Sequence, residues 1–333
     1  MNRVIGIGNA LTDFLVNLSG DDTLSHLSLG KGSMNLVDSE AQRKIQEETA
    51  DLPHTLSLGG SAGNTIRCMA RLGVDVGFIG KVGKDSTGRF YTKALANLKI
   101  EPFISLGTQR SGRCLSLITP DGERTMVTYL GAALELSETD ITPTEFDGYD
   151  CLYIEGYMVQ NHHVIRHAVE TAKRCGLKVA IDLASYNVVL DNREFLLDLV
   201  DRYVDILFAN EQEAAAFSGE PEPVNALEFI SKMCDTTIVK IGTRGALIKH
   251  AGEVIHVGIM AAAKRVDTTG AGDFYAAGFL AGMCNGLSLR QCGTIGAITA
   301  GKVIEVVGTT FGEEAWREIF SLVERVKSEK YLF

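Results

Sequence analysis

Residues 266–279 combine small side chains with one acid at the start of a helix-compatible run. Gly270, Ala271 and Gly272 precede Asp273, and small residues allow a backbone to approach a bulky ligand closely. The first N–H groups of a helix can bind an anion, whereas a neighbouring aspartate repels one. Asp273 is therefore expected to accept a proton from an attacking hydroxyl group. The residue types alone also fit an ordinary helix start whose acid is favoured by the helix dipole.

Two further segments follow predicted strands near the N-terminus. Asp13 comes after a short apolar strand at residues 3–8, where its carboxylate could accept hydrogen bonds from substrate hydroxyls or cap a turn. Gly59 and Gly60 precede a predicted helix, and they permit close approach of a ligand. Asn64 lies in the first turn of that helix, where it could contact the ligand or cap the helix.

The third and fourth segments lie in the second half of the chain. Asn210 and Glu213 share one side of a helix start, where an amide and a carboxylate could hold water molecules around Mg²⁺. A solvated helix N-terminus is the alternative for this pair. The next strand-to-turn segment could contact the ribose or phosphates of a nucleotide, or form a plain turn, through Lys240, Gly242, Thr243 and Gly245.

The elements that must position these residues alternate regularly after residue 137. Strands predicted at 151–154, 179–182, 206–209 and 237–240 are separated by helical segments, which indicates a parallel sheet covered by helices. The chain is predicted to form one α/β domain over residues 1–333. A small β-rich lid is expected from about 13–37 and 101–130, including a hairpin at Pro120-Asp121-Gly122.

The composition restricts the classes of function. The net charge is −10 over 333 residues, so nucleic-acid or anionic-membrane binding is not expected. The seven cysteines are scattered and contain no C-x-x-C pair, which is typical of a reduced, cytoplasmic protein. No apolar stretch reaches the length of a membrane span. A P-loop nucleotide site is excluded, since G-x-x-x-x-G-K-[ST] is missing from the sequence.

Together these motifs resemble the ribokinase-like carbohydrate and nucleoside kinases, the PfkB family. G-G-S-A-G-N at 59–64 with A-x-L-G at 70–73 matches the first family signature, and D-T-T-G-A-G-D at 267–273 matches the second. N-x-x-E at 210–213 matches the element between them. The resemblance implies a Rossmann-like α/β body with a β lid, ATP as co-substrate, Mg²⁺, and often stimulation by a monovalent cation such as K⁺.

The resemblance also assigns residues. Asn9, Asp13, Gly60 and Asn64 would hold ribose hydroxyls, with Gly59 beside them. Asp273 would be the base, and Gly270, Ala271 and Gly272 would bind the transferred group. Nucleotide binding is implied for Thr268 and for the 210–213 and 240–245 segments, and a water-mediated Mg²⁺ contact is implied for Asn210 and Glu213. A monovalent cation would bind near Asp267 and Thr269. Arg124 would either contact the substrate or lie on the surface.

The opening G-N-A-L-T-D at 8–13 is similar to adenosine kinases within the family, as are D-G-E-R-T-M at 121–126 and K-G-S-M at 31–34. We therefore expect phosphorylation of adenosine to AMP, with Leu11 and Met34 contacting the base. Ala10 in place of Pro, and Thr269 in place of Asn, leave a sugar kinase for ribose, fructose or a related ketose as the alternative. A non-catalytic nucleotide- or sugar-binding regulator ranks lower, because Asp273 and the glycines are intact. The protein is expected to be a monomer or a homodimer.

Overall fold

A computed structural model describes residues 1–121, 123–262 and 264–329. Strands and helices are numbered along the chain. The large sheet has nine strands in the order β14-β13-β12-β11-β10-β9-β1-β5-β6. Its strands are β1 (Arg3–Ile7), β5 (Asp75–Gly83), β6 (Glu101–Gly107), β9 (Cys151–Glu155), β10 (Lys178–Asp182), β11 (Ile206–Asn210), β12 (Thr236–Lys240), β13 (Ala246–His250) and β14 (Glu253–Val257).

The small sheet has five strands in the order β3-β8-β7-β2-β4. They are β2 (Leu11–Asn17), β3 (Met34–Leu36), β4 (His54–Leu58), β7 (Gly112–Ile118) and β8 (Arg124–Tyr129). The first predicted lid segment, at about 13–37, therefore contributes β3 and most of β2 to this sheet. Gly122 of the predicted hairpin turn lies outside the described residues, but β7 and β8 on either side of it pair antiparallel.

The helices are α1 (Asp22–His26), α2 (Ser39–Glu48), α3 (Ser61–Arg71), α4 (Ser86–Asn97), α5 (His162–Arg174), α6 (Tyr186–Asp191), α7 (Arg193–Tyr203), α8 (Glu211–Ser218), α9 (Pro223–Ile230), α10 (Ala271–Cys284), α11 (Leu289–Val303) and α12 (Glu313–Lys327). Within the described part of the chain, no helix combines the length and apolar character needed to cross a membrane.

Helices cover both faces of the large sheet, which explains why its central strands are apolar between their end residues. Along β9, Cys151 and Tyr153 face one core cluster while Leu152 and Ile154 face the other. The first cluster includes residues of α3, α10, α11 and α12, and the second includes residues of α5, α7, α8 and α9. All the strands from β12 to β6 in the sheet order are parallel, so their carboxyl ends meet at one edge.

One predicted boundary is wrong. Residues 101–107 were expected in the lid, but β6 pairs in parallel with β5 at the edge of the large sheet. An edge strand has one solvated side, and its half-exposed pattern is the same in either sheet. A further strand of the small sheet, β4, was not predicted. It pairs with β2 and leads directly into Gly59 and Gly60.

Candidate active site

A cleft of about 1100 Å³ lies between the carboxyl edge of the large sheet and the small sheet. The ends of β10, β11 and β12 and the start of α10 line it on one side, and residues of β2, β3 and β8 line it on the other. Ligands of open α/β sheets bind at this edge, because the loops there follow every parallel strand. The segments that the sequence singled out are therefore brought together, although Asp13 and Asp273 are 260 positions apart in the sequence.

Asp273 lies in the first turn of α10, and its carboxylate is held by the start of α3. Ser61 Oγ donates to Oδ1 at 2.6 Å, and Asn64 Nδ2 donates to Oδ2 at 2.9 Å. Burial raises the pKa of Asp273 to about 6, and the negative charge of Asp182 acts in the same direction. The two hydrogen bonds and Lys240 oppose this rise in the pKa. A carboxylate with a pKa near 6 is ionised at neutral pH and is a better proton acceptor than an ordinary aspartate.

Gly270 precedes α10 in a left-handed conformation, with φ of 75°. A Cβ at this position would lie 2.5 Å from Thr309 Cγ2, so both the backbone and the space require glycine. Ala271 N–H donates to the carbonyl of Thr268 at 3.2 Å. The Ala271 N–H is therefore not free for an anion, although anion binding was expected of Ala271. For the N–H groups of Gly270, Gly272 and Asp273, anion binding stays a prediction.

Asp13 lies within β2 rather than in a turn, which removes the turn-cap alternative. Its side chain is buried in the wall of the cleft. Burial raises its pKa to about 6, while the charges of Arg124 and Arg67 act in the opposite direction. A Cβ on Gly59 would collide with the Asp13 carboxylate. Gly59 therefore makes room for Asp13, and it is not among the residues that line the cleft.

Glu155 is a site residue that the sequence reasoning missed. Its Oε1 accepts from Asn9 N–H at 2.9 Å and from Asn9 Nδ2 at 2.6 Å, and its Oε2 accepts from Ala62 N–H at 2.7 Å. Burial raises its pKa to about 7. Glu155 thus joins the loop after β1 to the start of α3. Glu155 directly follows the predicted strand at 151–154, so its position at a strand end could be recognised from the sequence.

Asn210 and Glu213 form a reciprocal cap on α8. The backbone N–H and Nδ2 of Asn210 donate to the two carboxylate oxygens of Glu213, at 2.7 and 2.6 Å. Asn210 Oδ1 in turn accepts from the N–H of Gln212 and of Glu213. Burial, together with the charge of Asp182, raises the pKa of Glu213. The pair therefore caps α8, and the alternative of a solvated helix start is wrong for Glu213, whose side chain is buried. Direct metal coordination would break the cap, whereas free lone pairs still allow contact through water.

Lys240 and Asp182 form a second feature that the sequence did not reveal. Lys240 Nζ lies 2.7 Å from Asp182 Oδ2, and the two side chains are 15% and 7% exposed. Both residues line the cleft, as do Gly242, Thr243 and Gly245. Asp182 ends β10 in the same way that Glu155 ends β9. The ends of adjacent parallel strands thus supply one acid each.

Arg124 connects the small sheet to the loop before α10. From β8 it donates to Asp267 Oδ2 at 3.2 Å and to Ser116 Oγ at 2.6 Å, and its side chain is 7% exposed. The alternative of a surface arginine is therefore wrong. Asp267 also accepts from the N–H of Thr269 and of Gly308. Although burial opposes ionisation, these hydrogen bonds and the charge of Arg124 hold the pKa of Asp267 below its usual value.

Most of the predicted residues line the cleft: Asn9, Asp13, Gly60, Asn64, Arg124, Asn210, Glu213, Lys240, Gly242, Thr243, Gly245, Thr268, Thr269, Gly270, Ala271, Gly272 and Asp273. Asp267 does not line it and instead holds the loop behind the start of α10. Among the described residues there is no cluster of three or more histidine, cysteine or acidic side chains arranged to hold a metal ion directly.

Comparisons with known proteins agree with this architecture. The model of the pfkB family carbohydrate kinases matches residues 29–316. The chain is 28% identical over 278 residues to a nucleoside kinase of Methanocaldococcus jannaschii, covering 80% of this chain and 85% of that protein. The chain therefore belongs to the pfkB family of carbohydrate kinases, which phosphorylate hydroxyl groups of sugars or nucleosides with ATP.

Two solved structures have nearly the same fold. The adenosine kinase of Sinorhizobium meliloti is 32% identical, with a TM-score of 0.85 over 96% of this chain and 99% of that one. A probable sugar kinase from Rhizobium etli is 31% identical, with a TM-score of 0.86 over 96% and 98%. The predicted fold class, a Rossmann-like parallel sheet covered by helices with a smaller β sheet, is confirmed.

Proposed function

We propose that the protein transfers the γ-phosphoryl group of ATP to the primary hydroxyl of a ribose-bearing nucleoside, with adenosine as substrate and AMP as product. The contact between Asp273 and Asn64 carries the proposal. It joins the candidate base at the start of α10 to the candidate sugar-binding residue of α3. A base that touches an acceptor-binding group is in place to deprotonate the acceptor.

In the proposed reaction the acceptor hydroxyl oxygen attacks the γ-phosphorus in line with the departing β-phosphate oxygen. A new P–O bond forms to the nucleoside, the bond between the γ-phosphorus and the bridging oxygen breaks, and ADP leaves. The hydroxyl proton passes to the Asp273 carboxylate. The N–H groups of Gly272 and Asp273 stabilise the charge on the phosphoryl oxygens.

The ribose is proposed to lie between the loop after β1 and the start of α3. Asp13 and the Asn64 side chain would accept from and donate to its hydroxyls, with Asn9 and Gly60 beside them. Glu155 takes no part in the chemistry of this proposal. Its three hydrogen bonds fix Asn9 relative to α3, so the two halves of the sugar site keep one geometry.

ATP is proposed to enter along the ends of β11 and β12, past Thr268, Gly242, Thr243 and Gly245. Asn210 and Glu213 fit a water-mediated contact with Mg²⁺, since their own oxygens stay paired in the α8 cap. Bound Mg²⁺ would neutralise charge on the β- and γ-phosphate oxygens. A monovalent cation such as K⁺ near Asp267 and Thr269 remains a further prediction, and Arg124 already neutralises one Asp267 oxygen.

The small sheet supports a nucleoside over a free sugar. Besides Asp13, Arg124 and Thr128, it contributes a set of apolar side chains to the cleft wall, which are Leu11, Met34, Leu36, Cys114 and Met126. Met34 is 50% exposed and Leu36 is 58% exposed, although both are large apolar side chains. Exposed apolar surface beside a polar site is typical of a ligand-binding wall, and a planar base would cover it. A free pentose has no group to place there.

Phosphorylation of a free sugar is the second candidate. Thr269 is the residue type that resembles the sugar kinases of the family, whereas many adenosine kinases carry Asn at this position. The similarity to the Rhizobium etli probable sugar kinase equals the similarity to the Sinorhizobium meliloti adenosine kinase within one per cent identity.

The first experiment compares adenosine, inosine, ribose and fructose as acceptors with MgATP and the purified protein. We expect turnover of adenosine with kcat/KM at least about tenfold above that of either sugar, equal to about 1.4 kcal/mol of transition-state binding. Strong turnover of ribose or fructose without turnover of adenosine would replace the nucleoside proposal with the sugar kinase.

The second experiment tests the base. Asp273→Asn keeps the size and the polar character of the side chain but cannot accept the proton. We expect kcat to fall by about 10²- to 10⁴-fold, as is usual when a general base is lost. A variant whose kcat stays within about tenfold of the wild type would remove the base role from Asp273. Inactivity of the wild type on every acceptor would favour a non-catalytic binding protein.

A further inference from the structure

The ion pair between Lys240 and Asp182 lies in the wall of the cleft and not in the interior of a core. Lys240 is the last residue of β12, and Asp182 is the last residue of β10. β11 separates these two strands in the sheet, so the lysine side chain reaches across one strand end to meet its partner. Asp182 also accepts from the N–H of Ala184, which fixes its carboxylate.

The lysine ammonium stands against the start of α10. A Cβ added to Gly272 would lie 3.1 Å from Lys240 Nζ, so only hydrogen atoms of the glycine separate the ammonium from that helix turn. The same turn carries Asp273, whose carboxylate is held by α3. The positive charge therefore adjoins both the N–H groups of the helix start and the candidate base.

Carboxylates dominate the surroundings of this ammonium. Burial lowers the pKa of Lys240, but Asp182, Glu213 and Asp273 together raise it above its ordinary value. The lysine is therefore charged at neutral pH. An ammonium has three donors, and one is given to Asp182, so it can turn toward a ligand without leaving this partner.

We propose that Lys240 binds a non-bridging oxygen of the γ-phosphoryl group of ATP, and that Asp182 positions it for this contact. The proposal rests on the proposed function and names one further phosphate-binding residue within it. The phosphoryl group must lie between the acceptor hydroxyl at Asp273 and the β-phosphate. Lys240 adjoins the helix turn that carries Asp273 and therefore this position. As a compact cation it stabilises the charge on the phosphoryl oxygens without fixing their direction.

A purely structural lysine–aspartate pair is present elsewhere and provides a matched control. Lys81 Nζ lies 2.7 Å from Asp140 Oδ2, and the side chains are 13% and 12% exposed. This pair has the same length and nearly the same burial as the Lys240 pair, but neither Lys81 nor Asp140 lines the cleft. Loss of either lysine leaves one aspartate without its cationic partner. Only loss of Lys240 should change the binding of a γ-phosphate.

The experiment measures binding of two nucleotides by calorimetry, each with Mg²⁺ and without any acceptor. The non-hydrolysable ATP analogue AMP-PNP carries the γ-phosphoryl group, and ADP does not. For Lys240→Met we expect AMP-PNP affinity to fall by about 10- to 100-fold, the range of a charge-assisted hydrogen bond, and ADP affinity to change by less than about twofold. Lys81→Met should alter neither affinity. Lys240→Arg should recover part of the AMP-PNP affinity, because it keeps the charge.

Equal weakening of AMP-PNP and ADP by Lys240→Met would overturn the proposal, as would affinities that match those of Lys81→Met. If Lys240→Met does not fold, Lys240→Gln replaces it, since its amide can still donate to Asp182 without carrying charge. The measurement needs no acceptor. A selective loss of AMP-PNP binding would therefore support Lys240 even if adenosine were not a substrate, and turnover of adenosine would stand if Lys240 proved structural.

Discussion

The two sheets of this protein are covered to different extents. In the large sheet, helices pack on both faces, and strand residues such as Leu152 and Phe208 have no exposed surface. The small sheet has only two small clusters of its own among the described residues, which include Leu117 and Val127. One of its faces looks into the cleft and leaves Met34 half-exposed.

This difference separates two tasks. The large sheet fixes the ends of its strands, and with them Asp182, Asn210 and Lys240, because a core that is packed on both faces resists displacement. The small sheet presents apolar side chains whose burial is incomplete until a ligand covers them. We therefore expect substitutions in the large sheet to change stability most, and substitutions in the small sheet to change substrate binding most.

The largest expected effect is on the free energy of unfolding, and it compares two buried leucines. Leu152→Ala in β9 should cost about 5 kcal/mol and Leu117→Ala in β7 about 2 kcal/mol, the two ends of the usual range for this change. Leu117 belongs to a small cluster that can collapse onto the space left behind, whereas Leu152 lies between covered strands. Chemical denaturation measures both values, and equal losses would contradict the difference in packing.

The next effect concerns substrate binding by the small sheet. Met34→Ala removes apolar surface from the cleft wall and should raise KM for adenosine about tenfold, the value of roughly half of a buried side chain. Ribose kinetics, where measurable, should not change. Leu56→Ala is the control, because Leu56 is exposed on β4 but does not line the cleft. If both variants behave alike, Met34 does not contact the substrate.

A smaller effect concerns the ion pair that joins the small sheet to the loop before α10. Arg124→Gln and Asp267→Asn should each lower kcat/KM, because each removes the contact between β8 and the loop before α10. In the double variant the losses should be less than additive by about 1 kcal/mol, which corresponds to about fivefold in kcat/KM. Additive losses would show that the two residues act independently.

The smallest effect is on pH dependence. The pKa of Asp273 is about 6, so kcat should fall about twofold from pH 8 to pH 6 and about tenfold per unit below that. The free energy of unfolding should change in the opposite direction and fall as the pH rises. A carboxyl whose pKa is raised on folding contributes stability that is full below about pH 4 and is lost as the pH rises through 6. Asp13, with its pKa near 6, adds to this loss.

Denaturation of wild type and Asp273→Asn between pH 4 and pH 7 tests the sign of that change. The wild type should lose more unfolding free energy than the variant over this range, since the variant has no carboxyl at position 273 to titrate. A wild-type protein that gains stability over the range, relative to the variant, would show that the folded pKa of Asp273 is not raised.

The sequence predicts the large sheet well because its signals are local. Apolar runs that end in glycine or an acid mark the strands, and the strand ends bring Asn210 and Lys240 to one edge. Residues 101–107 were assigned to the wrong sheet because strand pairing is a long-range choice that an edge strand does not encode.

The candidate site residues that lie at glycine-rich helix starts, such as Gly270 and Asp273, were predictable from the sequence. Side-chain pairs between distant segments were not predictable. Arg124 and Asp267 are separated by 143 positions, and no periodicity relates them. Glu155 is intermediate, because its place at a strand end was visible, although its bonds to Asn9 and α3 were not.

The contact between Arg124 and Asp267 also affects how parts of this family can be exchanged. Asp267 belongs to the body, whereas Arg124 belongs to the small sheet that shapes the substrate wall. A small sheet transplanted from a relative would bring its own wall for the base or sugar. It would be seated over α10 only if it also carried a cation that reaches Asp267. When chimeras are designed to change substrate preference, the donor sheet should therefore first be checked for a partner of Asp267, and only then for the residues of its substrate wall.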